Sequence, residues 1–223
     1  AIQIDRYKQG EVQVALREIE LPHVGARDLL VRVKAAAVNP LDLLIAHGDV
    51  KLVVPYRFPL TLGNEMAGVV EQVGTEVSDF KVGFARLPID RIGAFAEYVA
   101  VDASAVAKIP DYLSDVEAAA VALTALTAEQ ALDLLKLKSG SSLFISGGSG
   151  SFGMMAIPLA AARGLKVITS GGAQAKERTM RLGASQYFDY KTEDYTTSLK
   201  DIDGAIDSLG DKELPRLFSI LRQ

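Results

Sequence analysis

Cysteine is absent from this 223-residue chain, so it can form no disulfide and offers no thiolate to a metal. Together with the lack of a signal-like start, that points to a reducing compartment, the cytoplasm. Histidine is almost as scarce: His23 and His47 are the only two, and by themselves they cannot supply a three-ligand catalytic zinc site. No Ser/His/Asp set, no credible pair of catalytic carboxylates and no obvious proton donor stand out. Neither sign of charge dominates. Lys and Arg number 24 against 28 Asp and Glu, a net of −4, which disfavours a broad basic face for nucleic acid or anionic membrane while leaving local basic sites open. Long apolar runs are missing too. A membrane span needs about 18 to 20 such residues, and the longest stretch, Ala118 to Ala128, is broken by Thr124 and Thr127. The chain is therefore read as soluble. It has no internal repeat and no low-complexity segment.

What is present suits a globular protein with a sizeable core: 49% hydrophobic residues and a mean hydropathy of +0.19. Ile2–Tyr7, Val12–Ile19 and Leu29–Ala37 carry the alternating or β-branched patterns of antiparallel strands, punctuated by Gly10, Pro22 and Gly25. Asn39-Pro-Leu-Asp42 opens a short helix through Ala46, with Asn39 or Asp42 placed to cap it. Lys51–Thr61 carries two prolines and reads as an irregular loop. Met66–Val73 and Ala94–Val101 read as strands, and Asp115–Leu135 as a helix with Ser114 at its N-cap. The composition shifts near Tyr112 from β-rich to alternating β and α, which places a boundary between domains 1–114 and 115–223.

The densest signal is Leu143–Gly153, LFISGGSGSFG. A short strand runs into a glycine-dense turn through Gly147, Gly148, Ser149, Gly150, Ser151, Phe152 and Gly153, and from Met154 the pattern becomes helical. Strand, glycine turn and helix N-terminus in that order make a pyrophosphate site, because free backbone N–H groups and the positive end of the helix dipole converge. Such turns also serve plain packing, so the context matters. Strands at Lys166–Ser170, Gln186–Tyr190 and Gly204–Ser208, with a helix at Glu177–Leu182, continue an alternation that implies a parallel sheet. A chain preferring NAD carries an acidic residue at the end of the second strand. Here that strand ends in Ser170-Gly171-Gly172 and is followed by Lys176 and Arg178, which leaves room and cations for a 2′-phosphate. A solvated helix face is the bland alternative for both cations.

With both halves in view, Asn39-Pro-Leu-Asp42, Leu62-Gly-Asn-Glu-Met-Ala-Gly-Val-Val70, Val73-Gly74 and Leu126-Thr-Ala128 before the glycine turn resemble the medium-chain dehydrogenase/reductase superfamily. Within it the chain is similar to the zinc-free quinone oxidoreductase, or zeta-crystallin-like, branch. The resemblance covers essentially the whole chain. It implies an α/β protein with a GroES-like catalytic domain, a Rossmann domain, NADPH as cofactor and a homodimer. Zinc-dependent members have a His where this chain has Asn64. Family members also continue past this C-terminus, so one sheet edge and the closing strands of the β-module are expected to be absent. The join Lys81–Ala85 is shorter than the family pattern, and the true polypeptide is expected to be longer.

The resemblance further places Lys176 at a phosphate-binding lysine and Tyr190 at a tyrosine lining the adenosine end. Near the nicotinamide it points to Asn39, Thr127 and the Ser208-Leu-Gly210 turn; Glu129 replaces a usual aromatic. Helix capping is an equal reading of Asn39 and Asp42, and a hydroxyl bonded to its own turn an equal reading of Thr127. Tyr56 is the one candidate proton donor, and water is the other source. Without a Lewis acid, alcohol dehydrogenation is disfavoured, whereas quinones and enones spread the charge arriving with hydride. The expected function is NADPH-dependent reduction of quinones or α,β-unsaturated carbonyls. A non-catalytic NADPH-binding sensor, structural or RNA-binding protein is the alternative from another class, and an enoyl-thioester reductase the alternative among enzymes.

Overall fold

The computed structural model describes residues 1–78, 92–210 and 212–222, together with the backbone of 82–86. The chain divides into two compact units, Ala1–Leu123 and Thr124–Gln223. The division falls within one helix, nine residues beyond the boundary read from composition.

The first unit contains β1 (Ile2–Ile4), β2 (Ala15–Leu16), β3 (Asp28–Ala36), α1 (Pro40–His47), β4 (Leu60–Thr61), β5 (Glu65–Val73), β6 (Val82–Arg86), β7 (Tyr98–Asp102), β8 (Val106–Ala107) and the start of α2 (Asp115–Leu135). Five strands form an antiparallel sheet in the order β7-β3-β5-β6-β8, and β2-β1-β4 form a smaller one. Leu29, Val31, Met66, Val99 and Val101 fill the main core, and Ile4, Ile45, Ala46 and Leu62 fix α1 against the small sheet. Several strands are shorter than their sequence patterns. Val12–Ile19 contributes only Ala15–Leu16, and Ala94–Val101 narrows to Tyr98–Asp102. The apolar residues outside those strands still pack; Phe95, for instance, lies against the α1 cluster and bonds Ile2 and Leu62 through its backbone. Pattern reports burial, not pairing. Of the short join, Lys81 lies outside the described residues, while Val82–Arg86 pair with β5.

Helix α2 has the extent the sequence predicts. Ser114 Oγ accepts the Glu117 N–H and the Glu117 carboxylate accepts the Ser114 N–H at 2.9 Å, a reciprocal cap. By length and composition alone α2 could cross a membrane. Its Ala118, Ala119, Ala122, Ala128 and Leu132 are buried.

The second unit adds β9 (Ser142–Ile145), α3 (Ser151–Ala162), β10 (Lys166–Gly171), α4 (Lys176–Arg181), β11 (Ala184–Asp189), α5 (Tyr195–Ser198), β12 (Gly204–Ile206) and α6 (Glu213–Phe218). Its sheet is parallel throughout, in the order β11-β10-β9-β12. Both faces are covered, so its strands run apolar rather than alternate. Leu143, Ile145 and Val167 face a cluster with Ala156, Ile157, Ala160 and Leu132. Phe144, Ile168 and Phe188 face the opposite cluster with Tyr195, Leu199, Leu217 and Ile220. Each such side chain contributes about 1.5–3 kcal/mol of burial. The sequence suggests that the chain stops short of another sheet strand. The sheet has four strands, and Ile220–Arg222 touches it only through an isolated bridge to Ile202, whose N–H and carbonyl bond Ile220 O and Arg222 N at 3.0 Å each.

The topology also sets where a ligand can sit. From β9 the chain steps one way to β10 and β11, then returns to place β12 on the other side of β9. This order makes β9 the switch point, and in open parallel sheets ligands bind beyond the carboxyl ends of the strands at such a point.

Candidate functional site

In the second unit the loop from Ser146 to Gly150 crosses this switch point. Gly148 donates its N–H to Ser170 O at 2.8 Å, which binds the turn to the end of β10. A Cβ on Gly148 would lie 2.1 Å from Thr169 Oγ1, whose hydroxyl is tied to Ile145 O at 2.6 Å. A Cβ on Gly153 would lie 2.5 Å from Gly148 Cα. Only bare glycines let helix, turn and strand approach this closely. Gly150 is the N-cap of α3 in extended conformation and offers no side-chain cap. Among the described residues, the N–H groups of Ser149, Ser151, Phe152 and Gly153 have no backbone acceptor. Four unanswered donors, with a helix dipole behind three of them, form a cradle for an anionic diphosphate.

Two residues that sequence reasoning missed hold this cradle. Ser146 is buried; its Oγ donates to Asp207 Oδ1 at 2.8 Å and accepts the Ser208 N–H at 2.8 Å. The Ser208 hydroxyl donates back to Ser146 O at 2.6 Å. Asp207 also accepts the N–H groups of Leu209 at 2.9 Å and Gly210 at 3.2 Å, and so shapes the predicted Ser208–Gly210 turn. Burial pushes its carboxyl up, but these three donors outweigh it and hold the pKa below the usual carboxylate range. Their signal was available: each directly follows a short apolar strand, at the carboxyl edge where ligands bind.

At the end of β10, Ser170 and Gly171 are buried, and the Tyr187 hydroxyl donates to Gly172 O at 2.8 Å. Tyr187 is a third residue that sequence reasoning missed. Burial raises its pKa, with the Asp189 charge adding to the effect. Lys176 opens α4 and is exposed, and Arg178 is exposed with one nitrogen 3.5 Å from Ser149 O. Tyr190 is exposed, donates its N–H to Gly171 O at 3.2 Å and has Lys191 6.0 Å from its ring centre. The structure thus gathers Gly147–Gly153, Ser170, Ser208 and Gly210 at one sheet edge, with Lys176, Arg178 and Tyr190 bordering it. Thr127 is on an exposed face of α2. Glu129 is paired with Arg163, which also reaches Asp133 at 2.8 Å.

The first unit holds a second polar concentration. Asn39, Asp42, Asn64 and Glu65 are all buried, at 8%, 2%, 1% and 1% exposure. Asn39 is the N-cap of α1, and its N–H donates to Asp42 Oδ2 at 2.7 Å. Asn64 Nδ2 donates to Asp42 Oδ1, and Gly63 N–H also reaches this carboxylate. Burial raises the Asp42 pKa against these hydrogen bonds. Asn39 Nδ2 donates to Glu65 Oε1 at 2.7 Å, and Glu65 Oε2 accepts the Leu123 N–H. The capping reading of Asn39 and Asp42 is therefore part of a larger network. Among the described residues Asn64 Oδ1 is buried without a hydrogen-bond partner.

Tyr56 is half-buried, and its N–H donates to the Tyr7 hydroxyl at 3.0 Å. His47 ends α1 with Nε2 3.0 Å from Gly10 O, and His23 is exposed in a loop. Among the described residues no three His, Asp or Glu side chains are grouped to hold a metal.

A sequence model of the alcohol dehydrogenase GroES-like domain matches residues 25–111. The chain is 33% identical over 201 residues to a chloroplastic quinone-oxidoreductase homolog of Spinacia oleracea, covering 86% of this chain and 61% of that one. It is 30% identical over 232 residues to a quinone oxidoreductase of Homo sapiens, covering 99% of this chain and 69% of that one. The fold superposes on the crystal structure of Escherichia coli quinone oxidoreductase complexed with NADPH with a TM-score of 0.85, at 27% identity, covering 100% of this chain and 70% of that one. The chain thus spans about two thirds of the length of the proteins it matches.

Proposed function

The chain belongs to the quinone oxidoreductase branch of the medium-chain dehydrogenase/reductase superfamily, and from that premise we propose that it is part of an NADPH-dependent reductase of quinones or α,β-unsaturated carbonyls that works without zinc. The observation that carries this reading is the uncapped, glycine-lined start of α3 beside the end of β10. Its four unanswered amides fit a diphosphate, and a Cβ at Gly148 or Gly153 would fill the space that the backbone now occupies. NADPH, when bound, supplies the hydride; the chain's residues supply binding and placement.

Ser149, Ser151, Phe152 and Gly153 bind the diphosphate through their N–H groups. Lys176 and Arg178 attract the 2′-phosphate, while Ser170 and Gly171 leave no carboxylate to repel it. The Tyr187 hydroxyl, bonded to Gly172 O, holds the β10 turn open for that phosphate. Tyr190 lines the adenosine end. Asp207 and Ser146 set the turn through Ser208 and Gly210 toward the nicotinamide half, and Asn39 and Thr127 contact the ring or the acceptor. Tyr56 is the proposed proton donor, with water the other source.

Zinc independence is supported by the donor set. There is no cysteine, His47 is turned to Gly10 O, and Asn39 and Asn64 use their amide nitrogens on Glu65 and Asp42. A conjugated acceptor needs no Lewis acid, because its π system delocalises the incoming charge. A cytoplasmic homodimer completes the proposal, although one relative is chloroplastic by name. The test is incubation of the full chain with NADPH and a panel of quinones and enones, with and without a chelator, following loss of nicotinamide absorbance. Turnover that survives chelation is expected. Binding with no turnover on any acceptor would favour a non-catalytic NADPH sensor, and activity lost to chelator and restored by zinc would reject the proposal.

A further inference from the structure

Strand β10 runs out through two glycines with different surroundings. Neither needs glycine for its backbone: Gly172 has φ −77°, and the φ of Gly171 also lies outside the left-handed region. Alanine would ordinarily stabilise such positions. A Cβ on Gly172 would meet only a Tyr190 ring carbon, at 3.9 Å. One on Gly171 would lie 2.2 Å from the Tyr187 hydroxyl oxygen and 3.0 Å from Ser149 Oγ. What forbids a side chain at position 171 is therefore Tyr187.

Side chains alternate along a strand, so position 171 shares the face of Thr169, which is the face turned to Gly148 of the glycine turn. Tyr187 pairs with Thr169 in register and reaches along the same face, where its hydroxyl donates to Gly172 O at 2.8 Å. To stand in ordinary contact with a Cβ at 171, that oxygen would have to retreat by about 3.4 − 2.2 = 1.2 Å. The ring is buried at 5% exposure, and its hydrogen bond does not survive a displacement of this size.

We propose that Tyr187 is a specificity-determining residue: its hydroxyl occupies the place of a side chain at position 171, so the end of β10 can present no acid to a nucleotide's ribose, and the choice of cofactor falls to Lys176 and Arg178. This deepens the reading of the strand end as the ribose end of an NADPH site, and rests on it. A side chain at 171 would begin beside Ser149 of the cradle. At the end of this strand, about 20 residues past the glycine turn, a carboxylate accepts the ribose 2′-OH of NAD and by its charge repels a 2′-phosphate. The lock has two halves. Removing the acid-free glycine alone cannot open it; Tyr187 must be shortened as well.

Two readouts on the full chain separate the lock from the cofactor reading. The first needs no ligand. Gly171→Ala is expected to lower the urea midpoint in the parent and not to lower it in the Tyr187→Val background, where the hydroxyl and ring are gone. The second is parallel titration with NADPH and NADH. Gly171→Asp alone should gain no affinity for NADH, whereas Gly171→Asp with Tyr187→Val should bind NADH roughly tenfold or more tighter than Tyr187→Val alone, the worth of one hydrogen bond to a charged group, and bind NADPH more weakly by a similar factor. An equal midpoint loss from Gly171→Ala in both backgrounds overturns the proposal. So does a double variant with the cofactor preference of Tyr187→Val, or Gly171→Asp that favours NADH as strongly as the double variant. If Gly171→Asp alone does not fold, the double variant against Tyr187→Val decides. A parent that binds neither cofactor sinks the functional reading by itself, and the urea comparison still decides whether Tyr187 holds position 171 closed.

Discussion

Gly153→Ala separates the cradle from ordinary helix packing. In a helix this substitution normally stabilises by about 1 kcal/mol. Here the added Cβ would stand 2.5 Å from Gly148 Cα and 2.7 Å from Gly147 O, both backbone atoms that no rotamer change can move. Ordinary contact begins at 3.4 Å, so the start of α3 and the turn must separate by about 3.4 − 2.5 = 0.9 Å. Overpacking of this kind costs about 1–3 kcal/mol, which offsets the helix gain and leaves a net loss of roughly 0–2 kcal/mol. Binding should suffer much more. An N–H···O bond near 2.9 Å stretched by the same amount passes the distance at which such bonds hold. Losing two charge-assisted bonds to a diphosphate, at about 1.5–3 kcal/mol each, weakens NADPH by at least about 100-fold. Urea denaturation gives the stability change and a fluorescence titration with NADPH the affinity. A variant that folds like the parent and binds NADPH within a few-fold of it would refute the assignment of this turn to the diphosphate.

Lys176→Ala should weaken NADPH about 10- to 100-fold and leave NADH nearly unchanged, from the loss of one charge-assisted bond to the 2′-phosphate; equal effects in parallel titrations reject that role. Asp207→Asn should destabilise the second unit by about 1–3 kcal/mol at neutral pH, since an amide cannot answer three donors. Because the folded Asp207 pKa is lowered, its contribution is present above the unfolded carboxylate value of 3.8 and is lost as pH falls through the folded one. Denaturation curves of the parent and the Asp207→Asn variant should therefore converge toward acid pH, and a gap that widens there contradicts the sign. Asp42 behaves oppositely. Its pKa is raised, so ionising it costs stability as pH climbs from 3.8 through the folded value, and this part of the pH dependence should vanish in Asp42→Asn.

The second unit was legible because its signals are local. The glycine turn, the apolar strands between helices and the missing acid after Lys166–Ser170 each lie within a few neighbouring residues, and parallel strands covered on both faces leave continuous apolar runs. Even so, Tyr187 reads as one more strand residue until the sheet brings it to Gly172, fifteen positions earlier. Ser146 and Asp207 meet across 61 positions. The first unit was harder. Its short strands are set by antiparallel partners distant in the chain, so Val12–Ile19 carries a strand pattern but pairs over two residues. Glu65 offered no hint of burial. A lone acid at a strand start reads as solvent-facing, and its partners Asn39 and Leu123 lie 26 and 58 positions away. The hint that did exist was shared by Asn39 and Asp42, whose capping spacing was read correctly but whose place in a four-residue buried network depends on tertiary contacts.

The central claim, that this chain places a nicotinamide for hydride transfer to a conjugated acceptor, is tested most directly with NADPH deuterated at C4 of the ring and a simple enone, in the presence of chelator. The account predicts deuterium on the carbon β to the carbonyl of the saturated product, with the α proton drawn from solvent. NADPH that binds but is never oxidised, or a product that carries no label, would contradict it.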